Sequence, residues 1–140
     1  MDEFNLARFV EAQAPIYAQA LAELRRGRKE SHWMWFVFPQ FAGLGRSPMA
    51  QFYAISSLAE ARAYLAHPVL GPRLRECTDA VLAHPDLGAE AIFGPVDAMK
   101  LRSSMTLFGA AAADGRLFAS VLDLFFSGGR DPATLELLRQ

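Results

Sequence analysis

The chain has 140 residues and 15.4 kDa, with 52% hydrophobic residues and a formal net charge of −1. A chain of about this length buries roughly 68–70% of the surface its unfolded form exposes, so this apolar content fits one compact domain and excludes wholesale disorder. Fourteen basic residues against fifteen acidic ones leave no surplus to meet a phosphate backbone, which argues against an electrostatic nucleic-acid binder.

The single cysteine, Cys77, cannot form an internal disulfide, and a reducing compartment suits it best. Met1-Asp2-Glu3 puts no basic region ahead of an apolar stretch, so the start does not read as a signal peptide. The apolar runs Trp33 to Phe38 and Leu107 to Ala113 are far shorter than the roughly 20 residues of a membrane helix. The expected location is cytoplasmic.

Taken in chain order, Phe4 to Ala12 predicts a short helix stopped before Pro15. Ile16 to Arg26 follows, with Tyr17, Leu21 and Leu24 on one face and Gly27 in the C-cap position. Arg25, Arg26, Arg28 and Lys29 are the nearest thing to a basic run. They fall at that helix end, where cations either suit the helix dipole or form a phosphate-binding patch. Ser31 to Phe38 and Gln51 to Ile55 are too short and too uniform for periodicity to decide.

Ser57 and Glu60 form a capping-box pattern, and the helix behind them groups Leu58, Ala61 and Leu65 before Pro68. Pro72 suits the first turn of the next helix, on which Leu70, Leu74, Cys77 and Val81 share a face. Cys77 is therefore expected in the core. Asp97 begins a helix to about Ala113, with Ala98, Leu101, Met105, Phe108 and Ala112 inward and Asp114-Gly115 closing it. Leu117 to Phe126 is apolar on most sides and is expected to be the central buried helix. Asp131-Pro132 caps a last helix through Leu135 and Leu138. The pattern predicts a compact all-α single domain, a multihelical bundle of roughly six to eight helices over residues 1–140.

No Walker loop, Gly-x-Ser-x-Gly elbow, His-Glu-x-x-His or cysteine pair is present. His32, His67 and His84 are far apart in sequence, so no metal site is expected, and no cofactor signature stands out. His67 and His84 each precede a proline at a helix end, the place for a dipole partner or a surface residue.

Three features could carry chemistry. In Lys29 to Gln40, Trp33, Trp35, Phe36 and Phe38 are either core or the aromatic wall of a pocket, with His32 and Gln40 orienting a ligand or moving a proton. In Gly43-Leu44-Gly45-Arg46-Ser47-Pro48, two glycines before a helix start are either a plain turn with Ser47 as cap or an anion nest. On the helix from Asp97, a polar stripe of Asp97, Lys100, Ser103 and Ser104 lies beside the apolar face. A lysine flanked by hydroxyls can hold a phosphate or carboxylate, and once desolvated can act as a base or activate a serine. The plainer account pairs Lys100 with Asp97 and bonds the serines to carbonyls one turn back.

The segments Arg8 to Gln13, Ser31 to Gln40, Gly43 to Gly45, His67 to Gly71, Phe93-Gly94, Asp97, Lys100-Leu101 and Ser103 to Phe108 together resemble the bacterial DUF1810 family of domains of unknown function. The likeness runs through nearly the whole chain, and Ser-His-Trp-Met-Trp is its most specific stretch. It implies a small, mainly α domain and brings no activity. Members are often labelled calpastatin, but such an inhibitor is a polar chain that folds on its protease, unlike this core-rich sequence. A more distant comparison is with small helical proteins acting on NAD-derived or ADP-ribose groups.

Two function classes follow. In the first, the protein binds a small nucleotide-like or phosphorylated ligand, as a hydrolase or glycosidase. Its catalytic candidates are His32, Lys100 and Ser104; its ligand-binding candidates are Trp33, Trp35, Gln40, Gly43, Gly45, Ser47, Asp97 and Ser103. In the second, it is a protein-interaction or regulatory module without chemistry. An exposed apolar patch would favour the second.

Overall fold

The computed structural model describes residues 2–140. Among them the chain forms α1 (Ala7–Gln13), α2 (Tyr17–Arg26), α3 (Met34–Val37), α4 (Pro48–Phe52) and α5 (Leu58–Ala66). It continues through α6 (Leu70–Leu82), α7 (Ala89–Phe93), α8 (Pro95–Ala111), α9 (Arg116–Phe126) and α10 (Pro132–Leu138). The only extended pairing among the described residues is a lone parallel bridge between Phe41 and Ile55. The domain is all-α, as expected, but with ten helices rather than six to eight. The additions α3 and α7 have four and five residues, too few to show a helical period in sequence, while the five-residue α4 begins at the Ser47-Pro48 start that the sequence marks.

Capping chemistry sets several boundaries. Gly27 ends α2 at φ 78, and an added Cβ there would come within 2.8 Å of Leu87 and 3.2 Å of His84. Ser57 Oγ accepts the Glu60 N–H at 3.0 Å, and Asp131 Oδ2 accepts the Thr134 N–H at 3.1 Å. Glu60 does not complete the capping box on Ser57; it accepts the Ser56 N–H at 2.9 Å. The first helix starts later than the predicted Phe4. Asn5 takes φ 52, and the Asp2 carboxylate accepts the Leu6 and Ala7 N–H groups at 2.7 and 2.8 Å.

The central helix is α8, not the segment Leu117 to Phe126. On α9 only Phe118, Val121 and Leu122 are buried, and Leu124 is 44% exposed. On α8, Leu101, Ser103, Ser104, Met105, Thr106, Leu107 and Phe108 are all buried. It packs against α5, α7, α9 and α10. The hydroxyls made this helix read as half-polar. Thr106 Oγ1 donates to the Arg102 carbonyl at 2.8 Å, so its hydrogen bond is made inside the helix and the residue can be buried.

Two polar networks lie inside the fold. Arg8 pairs with Glu60 at 2.8 Å and also donates to the Ala54 carbonyl at 3.0 Å, tying α1 to the start of α5. Gln13 donates to the Phe36 carbonyl at 2.6 Å and to the Tyr64 hydroxyl at 3.1 Å, tying α1 to α3 and α5. Cys77 is fully buried, as expected, and burial pushes its thiol up to about 12, away from reactivity.

Candidate functional site

The aromatic segment is held by one carboxylate. Glu23, on the last turns of α2, is 1% exposed. Its Oε1 accepts the N–H groups of Glu30 and Ser31 at 2.7 and 2.9 Å and the Trp33 indole N–H at 3.0 Å. Its Oε2 accepts from Ser31 Oγ at 2.7 Å and from Gln19 Nε2 at 3.1 Å. Burial works to raise this carboxyl, but the hydrogen bonds outweigh it and hold Glu23 at about 2. Trp33 is consequently core: it is fully buried and packs against Phe38. No ligand can stack on it.

Beyond that clamp the chain turns to α8. Lys29, nearly buried, pairs with Asp97 Oδ2 at 2.9 Å and lies 4.9 Å from the Trp33 ring centre. Lys100 stands 3.6 Å from Asp97 Oδ1 and 5.4 Å from the ring centre of half-buried Trp35. Two lysines therefore share one carboxylate, each over a tryptophan. Lys29 holds the short contact, and Lys100 keeps the long one, beyond hydrogen-bond distance.

Lys100 faces a shallow cleft of about 320 Å³. Its polar lining is Gln40, Lys100, Ser103 and Asp131, and Leu44, Gly45, Val96, Met99 and Ala133 complete the wall. Ser103 Oγ lies 3.0 Å from Asp131 Oδ2 and 3.2 Å from the Met99 carbonyl. The same Asp131 oxygen accepts from Thr134 Oγ1 at 2.5 Å and from the Thr134 N–H. The Gln40 side chain has no hydrogen-bond partner among the described residues, while its carbonyl accepts the Ile55 N–H at 2.9 Å.

Of the residues singled out in sequence, Gln40, Gly45, Lys100 and Ser103 meet in this cleft, and Asp97 and Trp35 adjoin it through Lys100. Ser104 does not. It is fully buried and its hydroxyl has no partner among the described residues, so it reaches neither solvent nor a base. His32 is exposed and makes no hydrogen bond or ion pair among the described residues, so no nucleophile–base pair forms with it. Ser47 spends its oxygen on capping α4, accepting the Ala50 N–H at 3.1 Å. The glycines of that turn answer to sterics. Gly43 has φ 102, and a Cβ on Gly45 would sit 2.4 Å from the Ala50 Cβ.

Asp131 is the cleft residue that sequence reasoning took only as a cap, because Asp-Pro at a helix start already explains an aspartate. The other histidines serve neighbouring helices rather than their own. His67 Nδ1 accepts the Val69 and Leu70 N–H groups at the start of α6, an N-terminal role instead of the expected dipole pairing. His84 donates from Nε2 to the Leu24 carbonyl at 2.8 Å, at the C-terminal end of α2. The described residues hold no group of three His, Cys, Asp or Glu placed to bind a metal ion. None of their helices is long and apolar enough to cross a membrane.

The family described as "Protein of unknown function (DUF1810)" matches residues 3–138, almost the whole chain. The chain belongs to the DUF1810 family. A similar solved structure is that of the conserved hypothetical protein Rv1873 from Mycobacterium tuberculosis. It shares 54% identity over 99% of each chain, with a TM-score of 0.98. No curated protein matches. For this DUF1810 chain, any reading of function therefore starts from the cleft.

Proposed function

We propose that the protein binds a small ligand carrying an anionic group, nucleotide-like or phosphorylated, in the cleft beside Lys100. One observation carries the reading. Asp97 gives its short contact to Lys29 and only a 3.6 Å contact to Lys100, whose side chain is 25% exposed at the cleft. An ammonium with three donors and no close acceptor can take up an oxyanion without first breaking a tight ion pair. The unpartnered Gln40 amide lies on the same wall. The reading stops at binding: Ser103 hydrogen bonds to a carboxylate and a carbonyl, neither of which makes it a nucleophile.

The test is thermal unfolding with increasing inorganic phosphate, for the parent and for Lys100→Ala. At about 100 times its dissociation constant a ligand stabilises the fold by roughly 2.7 kcal/mol. The expected result is a rise in Tm for the parent, absent in Lys100→Ala and kept in Arg25→Ala, a surface cation elsewhere. No rise in the parent, or equal rises in all three, contradicts the reading.

A second reading, a protein-docking face, is favoured by Val96 and Met99, which are 66% and 72% exposed one turn apart on α8. Val96→Ala with Met99→Ala separates the two. Weakened stabilisation by AMP assigns these side chains to the ligand cleft; unchanged stabilisation by AMP favours a partner.

A further inference from the structure

The cleft contains a feature that a plain anion site lacks, namely a carboxylate. All three hydrogen bonds to the Asp131 carboxylate fall on Oδ2, from Ser103 Oγ, the Thr134 N–H and Thr134 Oγ1. Oδ1 takes none among the described residues, and the side chain is half-buried on the cleft wall. A carboxylate oxygen only accepts, so it repels an oxyanion and calls for a donor.

The spacing says where that donor belongs. Lys100 and Ser103 are three residues apart on α8, about 5–6 Å between Cβ atoms. Asp131 Oδ2 lies 3.0 Å from Ser103 Oγ. The cleft wall therefore carries a cation from one turn of α8 and a fixed acceptor held against the next turn. Gln40 adds an amide that can both donate and accept. Leu44, Val96 and Met99 add apolar surface for the C–H face of a ring.

Resting on the anion-binding reading above, we infer that the ligand is a phosphorylated sugar, free or as part of a nucleotide, and that Asp131 selects it by accepting hydrogen bonds from its hydroxyls. Lys100 holds the phosphoryl oxygens, and Asp131 Oδ1 makes bare phosphate a weaker occupant than its sugar ester. Asp131 is thus the specificity-determining residue of the site.

Calorimetric titration of the intact protein with inorganic phosphate, ribose 5-phosphate, AMP and ribose tests this, using the parent, Lys100→Ala and Asp131→Asn. Asparagine caps a helix about as well as aspartate, so Asp131→Asn keeps the start of α10. The parent should bind ribose 5-phosphate or AMP at least about tenfold tighter than phosphate, the scale of a hydrogen bond to a charged group. Ribose alone should not bind measurably. Asp131→Asn should lose the preference while binding phosphate as well as the parent or better. Lys100→Ala should lose all three anions. If the parent shows no preference, or Asp131→Asn keeps it, the inference about Asp131 is overturned while the anion site stands. If Lys100→Ala binds phosphate like the parent, or the parent binds none of the compounds, the anion site and the inference fall together. A preference for AMP over ribose 5-phosphate identifies the nucleotide form, and equal binding identifies the sugar phosphate alone as sufficient.

Discussion

The Glu23 clamp and the Lys100 cleft meet at Asp97 and use the same materials: a carboxylate, a lysine, a tryptophan and short polar side chains. In the clamp both carboxylate oxygens are fully occupied. Glu23 accepts five hydrogen bonds, and Lys29 divides its donors between Asp97 and the Ser31 carbonyl at 2.5 Å. In the cleft the valences are half spent. Lys100 has one long contact, Asp131 has one idle oxygen, and Gln40 has an idle amide. Residue type does not separate the structural clamp from the proposed binding site; saturation does.

That contrast can be broken at the clamp first, where the largest effects are expected. Glu23→Ala leaves two partly buried backbone N–H groups and a buried indole N–H without an acceptor. By the scale of breaking a buried charged pair, it should cost about 3–5 kcal/mol in chemical denaturation. Arg8→Ala, which abandons the buried Glu60 carboxylate, belongs in the same range of about 3–5 kcal/mol. A cost below about 1 kcal/mol for either would deny these networks their structural role.

Acid supplies the next effect. Glu23 sits at about 2 in the fold, against an ordinary value of 4.5. A carboxyl lowered by folding stabilises the native state above its unfolded value, and that contribution vanishes as pH falls through the folded one. Stability should therefore drop by on the order of 3 kcal/mol between about pH 5 and pH 2 through this group alone. Glu23→Gln should flatten that stretch of the pH profile; an unchanged profile would sink the attribution.

The two smaller effects sharpen the comparison. Gly27→Ala puts a Cβ in a left-handed position against Leu87 and His84, and should cost about 1–2 kcal/mol. Lys100→Ala removes a partly exposed, loosely paired cation and should change stability by less than about 0.5 kcal/mol without ligand. A large loss in Lys100→Ala would move the residue from the cleft's chemistry to the fold's.

These differences also explain what the sequence could and could not tell. Caps were legible because they are local: Gly27 after Arg26, Ser57 ahead of Leu58, and Asp131 before Pro132 all mark real boundaries. The central helix was not legible, because Ser103, Ser104 and Thr106 count as polar while lying buried along α8. Trp33 and Trp35 look alike in sequence, yet the Glu23 carboxylate draws the first into the core and leaves the second half-buried. The same limit hides the place of Asp131 on the cleft wall. Its cap is written in neighbouring residues, whereas its contact with Ser103 spans 28 positions.

The central claim is that the open valences, not the aromatic motif, mark the proposed binding site. Amide chemical-shift mapping of the labelled protein during titration with AMP tests it most directly. The account predicts progressive shifts at Gln40, Gly45, Lys100 and Ser103, with Glu30, Ser31 and Trp33 unmoved. Shifts centred on Glu30 to Trp33, or spread over a face that excludes Lys100, would contradict it.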